Sequence, residues 1–369
     1  MISRRELLRT AAGGVLAWPT LAGSASAAPA APLRDIAAER GLLYGAYLNL
    51  FDLFADKQAP AIAARECGVM VSSQMDWSQL SPTPQTTDFK QLDINYRWAR
   101  DHDMKFRGHV LVWGENVPAW FPELSTRAEA VKAMETHIAV MCRHFAGRMQ
   151  SWDVVNEAIK LESGRPDGLR QTAFLEQIGP DYLDIAFHAA RDSDPAAKLV
   201  YNEFGIEYDM PKQNARRHAL LDLLDGFKRR GTPIDAIGIE SHLATEWSDH
   251  FNDRVLAGFL RELSDRGLQI MLTELDVRDR GAPSDIARRD AEVASVYRRY
   301  LDVALDNRAV TAVITWGLFD RDSYLVEHHD PSLARPDGLP QRPLPFDSED
   351  RPKPAYFALA DALRRAPTR

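Results

Sequence analysis

Eight times along this chain, a short apolar run rich in β-branched residues gives way to a segment of helical period. The strand-like runs fall at residues 42–49, 67–73, 105–113, 151–157, 198–204, 235–242, 269–277 and 311–319. Between them, charged and apolar residues recur at helical spacing. Leu92, Tyr96 and Ala99 share one side of 88–101, and Val131, Met134, Ile138 and Met141 share one side of 127–145. Further helices are predicted over 285–303 and 354–363. Such alternation requires parallel strands joined by crossover helices. Eight units of roughly 40 residues fit a closed barrel better than an open doubly wound sheet. No Gly-rich phosphate fingerprint follows the first strand, which counts against dinucleotide binding. With no linker or low-complexity segment in view, the expected fold is α/β, a single (β/α)8 TIM barrel.

In such a barrel the chemistry sits at the carboxyl ends of the strands. Here those ends are polar and aromatic: Asn49, Gln74, His109 with Trp113, Asn156 with Glu157, Asn202 with Glu203, Glu240 with His242, Glu274 with Asp276, and Trp316 with Asp320. The run S-W-D-V-V-N-E-A at 151–158 reads as a strand buried on both faces that stops in an amide and a carboxylate. Residues 269–277, Q-I-M-L-T-E-L-D-V, have the same shape and end in Glu274 and Asp276. A carboxylate at the end of a buried strand is costly unless paired or solvated. Two of them invite the two-carboxylate chemistry of sugar hydrolysis. Aromatic faces beside amides and carboxylates suit a sugar, whose C–H faces stack on rings while its hydroxyls seek hydrogen bonds.

The amino terminus reads as an export signal rather than part of the fold. Ser3-Arg4-Arg5-Glu6-Leu7-Leu8-Arg9 is a twin-arginine pattern, followed by an apolar stretch at 11–22 and an A-x-A site at 25–27. Residues 1–27 are therefore expected to be removed, leaving a catalytic domain over 28–369 in the periplasm or outside the cell. The mature chain carries 42 basic against 52 acidic residues, a formal −10. That balance disfavours nucleic acid and anionic membrane surfaces. Cys67 and Cys142 fall inside a predicted strand and a predicted helix, so two buried thiols are expected.

Taken together, these stretches resemble the glycoside hydrolase family 10 xylanases, in order, from about Leu42 to Leu359. The motifs that carry the resemblance are G-A-Y-L-N at 45–49, R-G-H-V-L-V-W at 107–113, W-D-V-V-N-E-A at 152–158 and Tyr201-Asn202. I-D-A-I-G-I-E-S-H at 234–242, T-E-L-D at 273–276, W-G-L-F-D at 316–320 and Pro352-Lys353-Pro354-Ala355-Tyr356 complete the set. The resemblance implies a retaining glycosidase with Glu274 as nucleophile and Glu157 as acid/base. It implies that Asn156 holds a sugar 2-hydroxyl, and that His242 orients the nucleophile with Asp276 behind it. His109, Trp113 and Trp316 would line the subsite before the scissile bond. Asn202, Glu240 and Tyr324 are expected among the substrate contacts. The implied partner is xylan or a related β-glycan, bound by a monomer without metal or cofactor.

The chain also departs from the family pattern. Where the family has E-N-x-M-K-W, residues 72–77 read Ser72-Ser73-Gln74-Met75-Asp76-Trp77. Gly114 replaces a His, Asn116 a Gln, and Glu240 the Gln of I-G-x-Q-S-H. Asp322-Ser323-Tyr324-Leu325 stands for D-S-W-R. These changes are expected on the non-reducing side of the cleft, so a decorated or non-xylan β-glycan competes with plain xylan. A carbohydrate-binding protein without turnover is a third reading, opposed by Glu157 and Glu274. A metallohydrolase using His109, His242 and Asp276 is a fourth, opposed by the lack of a tight His cluster. Glu327-His328-His329-Asp330 is read as a solvated loop before a surface metal site.

Overall fold

The computed structural model describes residues 31–72, 75–327 and 332–369. The export segment 1–27, Ser73, Gln74 and the stretch 328–330 lie outside the described residues. All eight expected strands are present: β1 Leu43–Leu48, β2 Val69–Ser72, β3 Lys105–Gly108, β4 Met149–Asn156, β5 Lys198–Glu203, β6 Ala236–Ile239, β7 Gln269–Arg278 and β8 Val310–Thr315. Each pairs in parallel with its sequence neighbour. The ring closes because β8 pairs with both β7 and β1, with Leu43 opposite Ala312 and Val310 opposite Ile270. The expected (β/α)8 barrel is therefore what the chain forms.

Alternation along each strand sorts the core into two layers. One face of the strands, with residues such as Phe106, Trp152, Val154 and Leu199, packs against the surrounding helices. The other face supplies Val69, Val71, Val200, Ala236, Met271, Ala312 and Ile314, which meet in the barrel lumen. The lumen also holds a buried pair, Arg107 to Asp153, with Nη1 donating at 2.7 Å and Nη2 at 2.5 Å. Gly108 is needed in its place because a Cβ there would lie 2.1 Å from the Trp152 ring.

The helices begin and end close to expectation, at Lys90–Asp101, Arg127–His144, Ile286–Asp306 and Pro354–Arg365. Thr126 and Glu129 form a reciprocal capping box at the start of Arg127–His144. No helix among the described residues is long and apolar enough to cross a membrane. Both cysteines are free and buried. Cys67, however, caps the helix Ala59–Glu66 instead of entering β2.

Two predicted strands are broken, and the breaks matter for the site. The run 105–113 stops at Gly108 and resumes as Val112–Trp113, which places Trp113 opposite Asn156. The run 235–242 stops at Ile239 and resumes as His242–Ala244, which places His242 opposite Asp276. Between those pieces Ser241 adopts φ +64, held by its N–H to Glu207 Oε1 at 3.1 Å.

Candidate active site

Glu157 follows the last residue of β4 and takes a left-handed backbone, φ +51. A non-glycine residue there is strained by roughly 1–3 kcal/mol and needs outside support. Its N–H donates to the Asn202 carbonyl at 3.0 Å, and its own carbonyl accepts from Arg170 Nε at 2.7 Å. The conformation swings the carboxyl off the strand. There Glu157 Oε2 accepts from Arg170 Nη2 at 3.1 Å. Burial raises the Glu157 pKa above the ordinary carboxylate range; Arg170 opposes this and Glu274 adds to it.

Glu274, on β7, is more enclosed, and its two oxygens are treated differently. Oε1 accepts from Asn202 Nδ2 at 2.7 Å, while Oε2 lies 3.4 Å from His242 Nε2. His109 Nδ1 is 3.9 Å from Oε1 and 2.8 Å from Asp153 Oδ2. Burial is the largest single influence and acts to raise the Glu274 pKa, yet His109, His242 and Asn202 together outweigh it. The net result lies below the ordinary range. Asp276 Oδ1 receives His242 Nδ1 at 3.1 Å. Burial works against a charge on His242, but Asp276 and Glu274 prevail and lift its pKa well above the usual imidazole value. The site thus pushes its two strand-end glutamates in opposite directions.

Glu157, Glu274, His109 and His242 line a cleft of about 510 Å³ at the carboxyl ends of the strands, together with Tyr47, Trp113, Asn156, Trp316 and Tyr324. Trp316 packs on Tyr47 with ring centres 4.5 Å apart, and Tyr324 meets His242 at 5.5 Å. A second, more apolar cavity of about 720 Å³ adjoins it through Phe204, His242 and Tyr324. Of the departures from the family pattern, Ser72, Asp76, Glu240 and Tyr324 line the first cleft. Ser72 accepts from Asn95 Nδ2 at 2.7 Å, and half-buried Asp76 also faces the cleft. Thr172 occupies the room a side chain at 114 would need, since a Cβ on Gly114 would lie 2.3 Å from Thr172 Cγ2.

Asn202 is not where the sequence reading put it. Expected among the sugar contacts, it is fully buried beneath the cleft floor. Its Nδ2 donates to Asn156 Oδ1 at 2.8 Å, Glu274 Oε1 at 2.7 Å and Glu240 Oε1 at 3.3 Å. Its Oδ1 accepts from Thr273 at 2.7 Å. A Cβ at Gly238 would come within 2.0 Å of that oxygen, so glycine at 238 makes room for the hub. Asp320, which ends a strand-like run, also turns inward: its Oδ1 receives Lys353 Nζ at 2.9 Å and the Leu344 N–H at 3.0 Å.

Glu240 is buried, and burial, followed by Glu274 and Glu157, raises its pKa well above normal. His109, His242 and Asp276 do not converge as a metal centre, because Asp276 sits behind His242 on the Nδ1 side. Among the described residues, the one triad of His, Cys, Asp or Glu whose ligand atoms lie within 4.8 Å of one another is Glu240, His242 and Glu274. Sequence reasoning missed Arg170 entirely. It lies in a loop with Lys160, Glu162, Arg165 and Asp167, and nothing in their spacing singles it out.

A (β/α)8 barrel with two strand-end glutamates held in opposite electrostatic environments defines a protein of the glycoside hydrolase class. The chain matches the Glycosyl hydrolase family 10 model over residues 32–362 and belongs to that family. It is 31% identical over 338 residues to endo-1,4-beta-xylanase B of Thermotoga neapolitana, covering 90% of this chain and 91% of the relative. It is 30% identical to endo-1,4-beta-xylanase A of Thermoanaerobacterium saccharolyticum over 85% of this chain but only 26% of that longer protein. The structure of xylanase 10B from Thermotoga petrophila RKU-1 in complex with xylobiose superposes with a TM-score of 0.81 at 28% identity, covering 90% of this chain and 97% of the other. The protein is a glycoside hydrolase of the endo-1,4-beta-xylanase type.

Proposed function

We propose that the protein is an exported, monomeric, retaining endo-β-1,4-xylanase in which Glu274 is the nucleophile and Glu157 the acid/base. The observation that carries this reading is the opposite electrostatic bias of the two glutamates: Glu157 is held toward its protonated form and Glu274 toward its ionised form. In the first step a Glu274 oxygen attacks the anomeric carbon as the glycosidic C–O bond breaks. The Glu157 proton passes to the departing oxygen. In the second step the Glu157 carboxylate takes a proton from water, the water oxygen attacks the same carbon, and Glu274 departs as a carboxylate. His109, His242 and Asn202 favour the charged form of Glu274, and Asn156 stands where a sugar 2-hydroxyl would meet it. Trp316 and Trp113 offer faces for the sugar rings.

The altered wall at Ser72 and Asp76 favours a narrower reading, a β-1,4-xylan whose own branches fill the space on the non-reducing side. The test is a product profile across xylan, arabinoxylan, glucuronoxylan, mixed-linkage glucan and cellulose. Short xylo-oligosaccharides released from at least one of the three xylans support the proposal. Products from cellulose or mixed-linkage glucan alone would overturn it. Export is tested separately, by fusing residues 1–27 to a folded reporter. Export that survives replacement of Arg4 and Arg5 by Lys would contradict the twin-arginine route.

A further inference from the structure

We propose that Glu240, His242 and Glu274 form a binding site for a divalent metal of the zinc class, whose occupation shuts off the hydrolase. Asn202 Nδ2 takes Oε1 of Glu274 at 2.7 Å and Oε1 of Glu240 at 3.3 Å. One amide therefore turns the other oxygen of both glutamates toward the same imidazole nitrogen. His242 Nε2 lies 3.4 Å from Glu274 Oε2 and 3.7 Å from Glu240 Oε2. Ligand atoms around a tetrahedral ion with bonds of about 2.0–2.1 Å stand about 3.3 Å apart, and the three here lie within 4.8 Å of one another, so the two carboxylates close on the ion by side-chain rotation.

Two further observations point to a cation. Glu240 is only 2% exposed, yet among the described residues its side chain makes one hydrogen bond, the one on Oε1. Oε2 is aimed into the triad with no donor in hydrogen-bonding range. Behind the site, His242 Nδ1 is tied to Asp276 Oδ1 at 3.1 Å, and Asp276 Oδ2 is buried without a partner. A carboxylate behind an imidazole is the arrangement that fixes a ligating histidine and strengthens it as a donor. Binding displaces the protons of Glu240 and His242, and the resulting two carboxylates and neutral imidazole carry −2, which a divalent ion cancels. An imidazole in a three-ligand set favours zinc, copper or nickel over magnesium or calcium. The fourth position opens onto the 510 Å³ cleft, where a water can complete the shell.

The site depends on residue 240 being Glu. A Gln would bring a neutral amide in place of the second anionic ligand, and the charge match would be lost. Occupation ties up Glu274 Oε2 and fills the floor of the cleft. The shut-off rests on the nucleophile proposed above; the binding does not.

The full chain, stripped of metal with chelator and dialysed, is titrated with Zn²⁺ by calorimetry, and Co²⁺ absorption reports the coordination geometry. One site per chain with a tetrahedral Co²⁺ spectrum is expected. Asp276→Asn should weaken Zn²⁺ binding about 10–100-fold, and Glu240→Gln and His242→Asn should weaken it further. Asp181→Asn, an exposed residue paired with Arg127 away from the cleft, should leave affinity unchanged and serves as the folded control. Equal affinity in wild type and Glu240→Gln overturns the site. In wild type, Zn²⁺ should raise the apparent KM and chelator should reverse the effect. Glu240-dependent binding without inhibition overturns the shut-off alone, whereas failure of azide rescue in Glu157→Ala overturns the nucleophile on which it rests.

Discussion

Arg170 grips Glu157 at two points, donating from Nε to its backbone carbonyl at 2.7 Å and from Nη2 to Oε2 at 3.1 Å. One guanidinium thus supports the strained backbone and holds down the pKa of the residue proposed to protonate the leaving group. The first step needs Glu157 protonated, and Arg170 favours the ionised form. Arg170→Met should therefore move the alkaline limb of the kcat/KM profile to higher pH. It should also lower unfolding free energy by about 1.5–3 kcal/mol, because hydrogen bonds to a charged, largely buried group are lost. An alkaline limb that stays put or moves down would show that Arg170 does not act on Glu157.

Glu240 bears on the same profile from the other side of the cleft. Its burial beside Glu274 and Glu157 favours its protonated form, which imitates the amide the family carries there. As pH climbs it ionises next to the nucleophile and activity falls. With chelator present throughout, Glu240→Gln should extend activity on the alkaline side between about pH 4 and 9, a range that brackets carboxylates and histidine. Profiles that differ only in height would remove the electrostatic role of Glu240.

Glu203 offers a stability test away from the reacting atoms. It is fully buried, accepts from the Ile159 and Phe204 N–H groups and the Tyr201 hydroxyl, and has its pKa raised by burial from 4.5 to about 7. The folded chain therefore keeps this proton to higher pH than the unfolded chain does. Its contribution is full below pH 4.5 and is lost as pH rises toward about 7, by up to about 3 kcal/mol. Urea unfolding should show wild type losing more stability than Glu203→Gln over that window. Parallel curves would contradict the assignment.

The rewritten wall at Ser72 and Asp76 leads to a kinetic expectation. Each charged or buried hydrogen bond missing from the non-reducing side is worth roughly 1.5–3 kcal/mol, about tenfold or more in affinity. Linear xylotetraose should therefore be cleaved poorly relative to a branched xylo-oligosaccharide of equal backbone length. Efficient cleavage of xylotetraose with a micromolar KM would show that other contacts compensate.

What the sequence made legible follows from what hydrophobic patterning encodes. Glu157 and Glu274 stood out because each interrupts a strand buried on both faces, and the eightfold alternation alone leads to the barrel. Patterning marks where a strand ends but not how deep its last polar residue sits. Asn202 looked like a sugar contact and is a buried hub, and Asp320 looked like site chemistry and pairs with Lys353. Nor does patterning show the breaks at 109–111 and 240–241, which bring Trp113 to Asn156 and His242 to Asp276. Arg170 reaches Glu157 from a loop whose path depends on tertiary packing, so local composition carries no trace of it.

The division of labour between the two glutamates is tested most directly with Glu157→Ala on an aryl β-xylobioside bearing a good leaving group. Such a substrate needs no acid for the first step, and azide can then replace the water that Glu157 would activate. The mutant should form the glycosyl-enzyme on Glu274 and stall, and added azide should restore turnover and release a β-glycosyl azide. Absence of rescue, an α-glycosyl azide, or wild-type activity without azide would contradict the assignment of Glu157 and Glu274.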